Sequence, residues 1–322
     1  MHDAAPNATA RARVFHRSLA AMHTRFSLVL VDVEEARAEE LAAEAERELQ
    51  ALERLMSRFD ASGPLAELNR RAAREPVEPP EPLWQILLRC REAWQRTGGA
   101  FDITLWPVQQ FWRECAAGGK EPAEEALAMT RRLTGMERVH FDERARTVRF
   151  EREGMSLDLG GFGKGYALER IARNLQARGV ERALLSFGES SIAVLGAHPH
   201  GPAWPVGIAN AFAPSQSVHT FQLKDASLST SGTAPHNQIG GPQVLGQILD
   251  PRSGRPIEGY RTMSVACPSA VEAEVLSTAL LVTPEPERSA LLSGSHGTSA
   301  VEVLYHRKGA ELIPRIHWND GL

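Results

Sequence analysis

The run Leu157-Asp158-Leu159-Gly160-Gly161-Phe162-Gly163-Lys164-Gly165-Tyr166-Ala167 constrains this chain more than any other. An apolar stretch with one carboxylate meets four glycines within six residues, a lysine stands among them, and a helical apolar period comes at once after it. Glycine lets backbone amides reach a ligand with no side chain between, and a helix N-terminus adds partial positive charge directed at anions. The local physics therefore marks Lys164 as a phosphate or pyrophosphate position. The same glycines also suit a plain connection from strand to helix, and composition leaves both readings open. Two better-known loops are excluded. A P-loop needs Ser or Thr directly after its lysine, yet Gly165 and Tyr166 follow here; a dinucleotide fingerprint needs Gly-x-Gly-x-x-Gly, yet Gly161-Phe162-Gly163 leads to Lys164, Gly165 and Tyr166.

At 322 residues the chain can bury a full core in one large domain or two intimate ones. Its formal charge of −4 argues against a nucleic-acid surface, which would be basic and patchy. Cys90, Cys115 and Cys267 are odd in number and far apart, so neither a disulfide framework nor a zinc site is expected. The first twenty residues are rich in Ala and Arg, lack the apolar run of a signal peptide and are expected to be frayed. No segment approaches the roughly 18 apolar residues of a membrane span. The expectation is a cytoplasmic protein with one domain over residues 21–318, built of two interwoven subdomains.

A buried strand is expected at Phe26–Val33, and a long amphipathic helix over Glu34–Arg58 from the spacing of Leu41, Ala45, Leu49, Leu52 and Met56. Further helices are expected over Leu65–Arg74, Leu83–Thr97 and Glu124–Leu133, and a hairpin around Asp142-Glu143-Arg144. After the glycine run comes a helix stopped by Gly179. Strands are expected next at Ala183–Phe187, Ile192–Leu195, Val206–Ala209, Val218–Leu223 and Met263–Ala266, a helix at Ala270–Leu281, and closing strands at Val301–Tyr305 and Glu311–Ile313. The segment Ser227–Gly232 reads only as small and polar. Helices and strands alternate irregularly among hairpins, which favours α+β over a doubly wound parallel sheet.

Five stretches in order resemble the ApbE family of FAD:protein FMN transferases: Met22-His23-Thr24, Gly99-Ala100-Phe101-Asp102, Leu157 to Tyr166, Leu249 to Gly254, and Ala273 to Ala279. The resemblance implies an ApbE-like, T-fold-like α+β architecture of mixed sheets and packed helices, with FAD in a cleft between two intimate subdomains. It implies FAD as substrate and Mg²⁺ as metal. A Thr or Ser hydroxyl of an acceptor protein would attack the pyrophosphate, FMN would become attached and AMP would leave. Carried over, Met22, Phe59 (where the family often has tyrosine), Ala100, Phe101, Asp102, Asp158, Lys164 and Ile248 would contact FAD. Glu274 and Thr278, four apart on a helix and so on one face, would hold the metal with a backbone carbonyl from Gly161 to Gly163; such oxygen donors suit hard Mg²⁺.

The departures bear on activity. The family commonly reads Ser-His-Ile-Ile-Asp-Pro, with the histidine a proposed base; here the segment is Gly246-Gln247-Ile248-Leu249-Asp250-Pro251. Glutamine can orient a hydroxyl but takes no proton. Gly-Gly-Asp is replaced by Gly188-Glu189-Ser190, Thr-Ser-Gly-Asp by Thr230-Ser231-Gly232-Thr233, the metal aspartate by Glu274 and an alanine by Gly163. His236 reads as a surface histidine or a substitute base, and Asp250 as a base or the cap of its turn. Three activities stay open: flavin transfer, flavin or partner binding without catalysis, and hydrolysis of FAD to FMN and AMP.

Overall fold

The computed structural model describes residues 12–119, 122–233, 248–293, 296–309 and 311–320. In chain order its elements begin with β1 (Val14–Ala21), β2 (Thr24–Val31), α1 (Glu35–Met56), α2 (Pro64–Arg71), α3 (Glu81–Arg96), α4 (Trp106–Ala117) and α5 (Glu124–Arg131). The hairpin β3 (Val139–Asp142) and β4 (Thr147–Phe150) leads to α6 (Gly163–Ala177), β5 (Ala183–Phe187), β6 (Ser191–Leu195), β7 (Trp204–Asn210), β8 (Ala213–Leu223) and β9 (Ala226–Gly232). The short β10 (Leu249–Asp250) and β11 (Arg255–Pro256) precede β12 (Tyr260–Cys267), α7 (Ala270–Val282), α8 (Glu285–Leu292), β13 (Ser299–Lys308) and β14 (Glu311–Asp320).

Eight strands form one antiparallel sheet in the order β1-β2-β5-β6-β9-β12-β13-β14. Alternation along a strand sends successive side chains to opposite faces. On β6, Ala193 and Leu195 join the large core shared with α1, α6 and α7. Their neighbours Ile192 and Val194 join a second core under the β7–β8 ribbon. The α+β expectation is borne out. One local expectation is corrected, and one segment without an assigned type gains one. Residues 14–20 are not frayed, because all of β1 pairs with β2 from Val14↔Val31 to Ala21↔Thr24. Residues 227–232 belong to a strand in the interior of the sheet, between β6 and β12.

Helix α7 is buried deep against the sheet. Apart from Glu272, Glu274, Ser277 and Thr278 its residues are all apolar, and a helix apolar on most sides is buried. It crosses α6 closely because of Gly165: a Cβ there would lie 2.5 Å from the Ala270 carbonyl oxygen and 3.0 Å from Glu274 Cβ. Gly165→Ala should therefore force the two helices apart and cost about 1–3 kcal/mol, the usual range for overpacking. Urea denaturation checks this, and a variant as stable as the parent would refute so tight a crossing. Cys90 and Cys267 are buried thiols; burial pushes Cys267 up to about 12 and Cys90 higher still.

At the far end of the sheet Glu302 of β13 is 1% exposed and accepts from both terminal guanidinium nitrogens of Arg288, at 2.8 and 2.9 Å. A register shift between Glu302 and Val303 leaves His317 of β14 without a cross-strand partner, and its Nδ1 lies 2.9 Å from Glu302 Oε2. A bulge re-aims side chains in this way.

Candidate active site

The glycine run does not belong to the sheet. Its Leu157 backbone is clasped by Asn69, whose Oδ1 accepts from Leu157 N at 2.8 Å and whose Nδ2 donates to Leu157 O at 3.0 Å. Asp158 N donates to Ile103 O at 2.8 Å. With its backbone satisfied by side chain and loop, the run can stand off the sheet and turn directly into α6 at Gly163. Among the described residues no side chain caps α6, and its first turn holds no acidic residue, so the positive end of the helix faces outward for an anion.

In front of it lies a cleft of about 330 Å³, lined by Met22, His23, Phe59, Asp158, Gly160, Gly163 and Lys164 among others. That volume is at the small end of small-molecule sites. Met22 and His23 form the two-residue turn joining β1 to β2, both at positive φ (50° and 61°). Phe59, 63% exposed, meets His23 and Trp106 edge to face with centroids 5.7 and 6.2 Å away. Asp158 is fixed at both oxygens: Oδ1 accepts from Gly160 N at 2.8 Å, Oδ2 from Arg58 Nε at 2.8 Å. The Arg58 guanidinium also lies 3.9 Å from the Phe59 ring centroid, over the ring.

Lys164 points from the first turn of α6 to Glu274 of α7 and pairs with Oε1. Glu274 Oε2 accepts from Ser191 Oγ at 2.8 Å and Ser229 Oγ at 3.2 Å. Ser231 Oγ lies 3.0 Å from Thr278 Oγ1 and 2.9 Å from Ser277 Oγ. Glu274 and Thr278 thus do share one face of α7, turned to β9, and this explains the polar composition of that strand. Its serines at 229 and 231 face a buried carboxylate and its neighbouring hydroxyls, while Leu228 beside them packs in the second core. The donors here are all oxygens with a single carboxylate, a set that fits a hard divalent cation sharing substrate phosphates. Among the described residues no group of three or more His, Cys, Asp or Glu could hold a metal.

The structure thus brings Met22, Phe59, Asp158, Gly163 and Lys164 to the cleft, with Glu274 and Thr278 behind Lys164. Ala100, Phe101 and Asp102 are not among its lining residues. Phe101 is buried beneath the glycine run, 3.5 Å from where a Gly161 Cβ would stand. The Asp102 carboxylate accepts from Thr104 N and Oγ1 at 2.8 and 2.6 Å and from Met136 N at 3.2 Å, and burial pushes its pKa up. Ile248 packs half-buried on the core. Asp250 closes its own turn, with Oδ1 accepting from Arg252 N at 3.0 Å, away from the cleft. Gln247 and His236 lie outside the described residues. Sequence reasoning missed Arg58, Asn69, Ser191 and Ser229. Each acts through a partner far along the chain, and no local pattern announces that.

The family model described as the ApbE family matches residues 22–302. The chain belongs to the ApbE family. Among its ApbE relatives, an FAD:protein FMN transferase from Klebsiella pneumoniae (strain 342) is 27% identical over 83% of this chain and 82% of its own length. One from Salmonella typhimurium is 26% identical over 81% of this chain and 76% of its own. The solved flavin transferase ApbE from Vibrio cholerae superposes with a TM-score of 0.78 at 23% identity, over 95% of this chain and 97% of that one. The ApbE protein from Thermotoga maritima gives 0.79 at 23% identity, over 91% and 94%. The ApbE-like fold expected from the motifs is therefore the fold observed. Among the described residues no helix is long and apolar enough to cross a membrane.

Proposed function

We propose that this chain transfers the FMN half of FAD to a Thr or Ser hydroxyl of an acceptor protein, releasing AMP, with Mg²⁺ held by Glu274 and Thr278. The observation that carries this reading is the meeting of three features: the start of α6 and Lys164 at one cleft, and the buried carboxylate of Glu274 paired with Lys164 behind it. Together they suit a pyrophosphate and a divalent cation. In the step, the acceptor oxygen bonds to the FMN-side phosphorus, the bond from that phosphorus to the bridging oxygen breaks, AMP leaves with the electron pair, and the hydroxyl proton passes to solvent or a base. A bound Mg²⁺ would supply Lewis-acid stabilisation of the phosphate oxygens.

The chain's own residues do the rest. Phe59 and Met22 offer apolar surface to a flavin ring, and Arg58 holds both the Phe59 face and Asp158. Lys164 and the start of α6 stabilise charge on the phosphates.

Purified protein incubated with FAD, Mg²⁺ and a flavin-accepting protein should yield AMP and a flavinylated acceptor in equal amounts, read by nucleotide chromatography and by mass spectrometry of the acceptor. AMP released at the same rate without acceptor would identify hydrolysis instead. No AMP in either case would defeat the reading.

A further inference from the structure

The Glu274 carboxylate pairs with Lys164 with only 5% of its side chain exposed. A carboxylate so buried needs a counter-charge and hydrogen-bond donors. Its two oxygens are served differently. Oε2 accepts hydrogen bonds from the hydroxyls of Ser191 and Ser229, both buried, whereas among the described residues Oε1 accepts only from the Lys164 ammonium. The protein thus keeps one oxygen for hydroxyls and the other for a cation. Lys164 is a quarter exposed and also lines the cleft beside Gly160, Gly163 and Asp158. Its ammonium sits on a flexible four-carbon stem, a point charge that can be re-aimed. A divalent cation at Oε1 and an ammonium at the same oxygen would repel each other.

We propose that Lys164 is a stand-in cation. It neutralises Glu274 while no divalent metal is present, yields Oε1 when one binds, and turns its ammonium into the cleft toward the anionic part of the ligand. Metal and pyrophosphate then assist each other through one side chain, and the assistance is reciprocal, as any coupling between two binding equilibria must be. The inference rests on the reading of Glu274 as a metal ligand in the proposed transferase site, but not on whether transfer occurs.

The test is Mn²⁺ binding to FAD-free protein, followed by the electron paramagnetic resonance signal of free Mn²⁺. An ammonium that occupies Oε1 most of the time weakens metal binding by the fraction of time the oxygen is free, so Lys164→Met should bind Mn²⁺ about tenfold or more tightly than the parent. Lys164→Arg, which keeps the charge, should stay near the parent. In thermal melts without metal, Lys164→Met should unfold at a lower temperature than the parent and gain more from added Mn²⁺. Equal Mn²⁺ affinity in parent and Lys164→Met overturns the exchange and leaves Glu274 as a metal ligand. No binding by either overturns both. Should Lys164→Met fail to fold, the parent protein still decides. Saturating Mg²⁺ should speed acetylation of Lys164 by acetic anhydride severalfold, measured by peptide mass spectrometry, and an unchanged rate overturns the proposal. FMN transfer does not enter these measurements, so a protein that exchanges cations in this way yet never labels an acceptor defeats only the reaction.

Discussion

Glu274→Gln should lower the rate of FMN transfer by on the order of 10³, the scale of losing one preorganised group that stabilises transition-state charge. The substitution keeps the side chain's volume and leaves an acceptor oxygen for Ser191 and Ser229, so the cluster between β9 and α7 can persist. What goes is the charge, and with it the attraction for either Lys164 or a divalent cation. The measurement is acceptor flavinylation at saturating FAD and Mg²⁺, with thermal melting to verify folding. Glu274→Asp, the shorter carboxylate that the family motif carries, should keep most of the activity. A Glu274→Gln enzyme within threefold of the parent would remove Glu274 from the mechanism.

The largest effect on stability is expected at the other end of the sheet. Glu302→Gln leaves Arg288, itself 3% exposed, without its counter-charge, and breaking a buried pair from one side costs about 3–5 kcal/mol. Urea denaturation at neutral pH gives the number, and a loss below about 1 kcal/mol would mean that the pair contributes no more than an exposed one. The same carboxylate makes stability depend on pH. Burial pushes the Glu302 carboxyl up, but Arg288, His317 and Arg261 outweigh it and hold the group below its ordinary 4.5. A folded-state pKa below the unfolded one gives stabilisation that is complete above the ordinary value and is lost as pH falls through the depressed one. The parent should therefore lose stability steeply below about pH 4.5, and Glu302→Gln should show a shallower acid limb.

Much of this was legible in the sequence because it rests on local periodicity. The spacing of Leu41, Ala45, Leu49, Leu52 and Met56 marks α1, and these residues do face the core. The four-residue step from Glu274 to Thr278 places both on one helix face, which the hydrogen bonds to β9 bear out. What failed did so for reasons of tertiary contact. β9 lacks apolar alternation because one of its faces meets a buried carboxylate, so the pattern that marks a strand is absent from a strand inside the sheet. β1 looked like an unstructured leader because its Ala and Arg content suits a frayed end, yet pairing along β2 orders it. Asp102 is an acidic residue in motif-like surroundings, and only the structure shows its carboxylate taken up by Thr104 and the Met136 amide, whereas Asp250 closes its turn, as one of its two sequence readings has it. Arg58 and Ser191 carry no signal until Asp158 and Glu274, each more than eighty residues away, are brought to them.

The turn at Met22 and His23 says something about what has been kept in this chain. Two consecutive residues with side chains hold left-handed backbone there, a conformation that Asn-Gly would take with less strain. A search for heat-resistant variants would be drawn to that dipeptide, since matching a turn's residues to its backbone commonly gains about 0.5–2 kcal/mol. The gain would strip a thioether and an imidazole from the cleft wall. A directed-evolution campaign that scores only thermal survival would thus erode the cleft wall at this hairpin, and one that scores ligand binding as well would hold it in place.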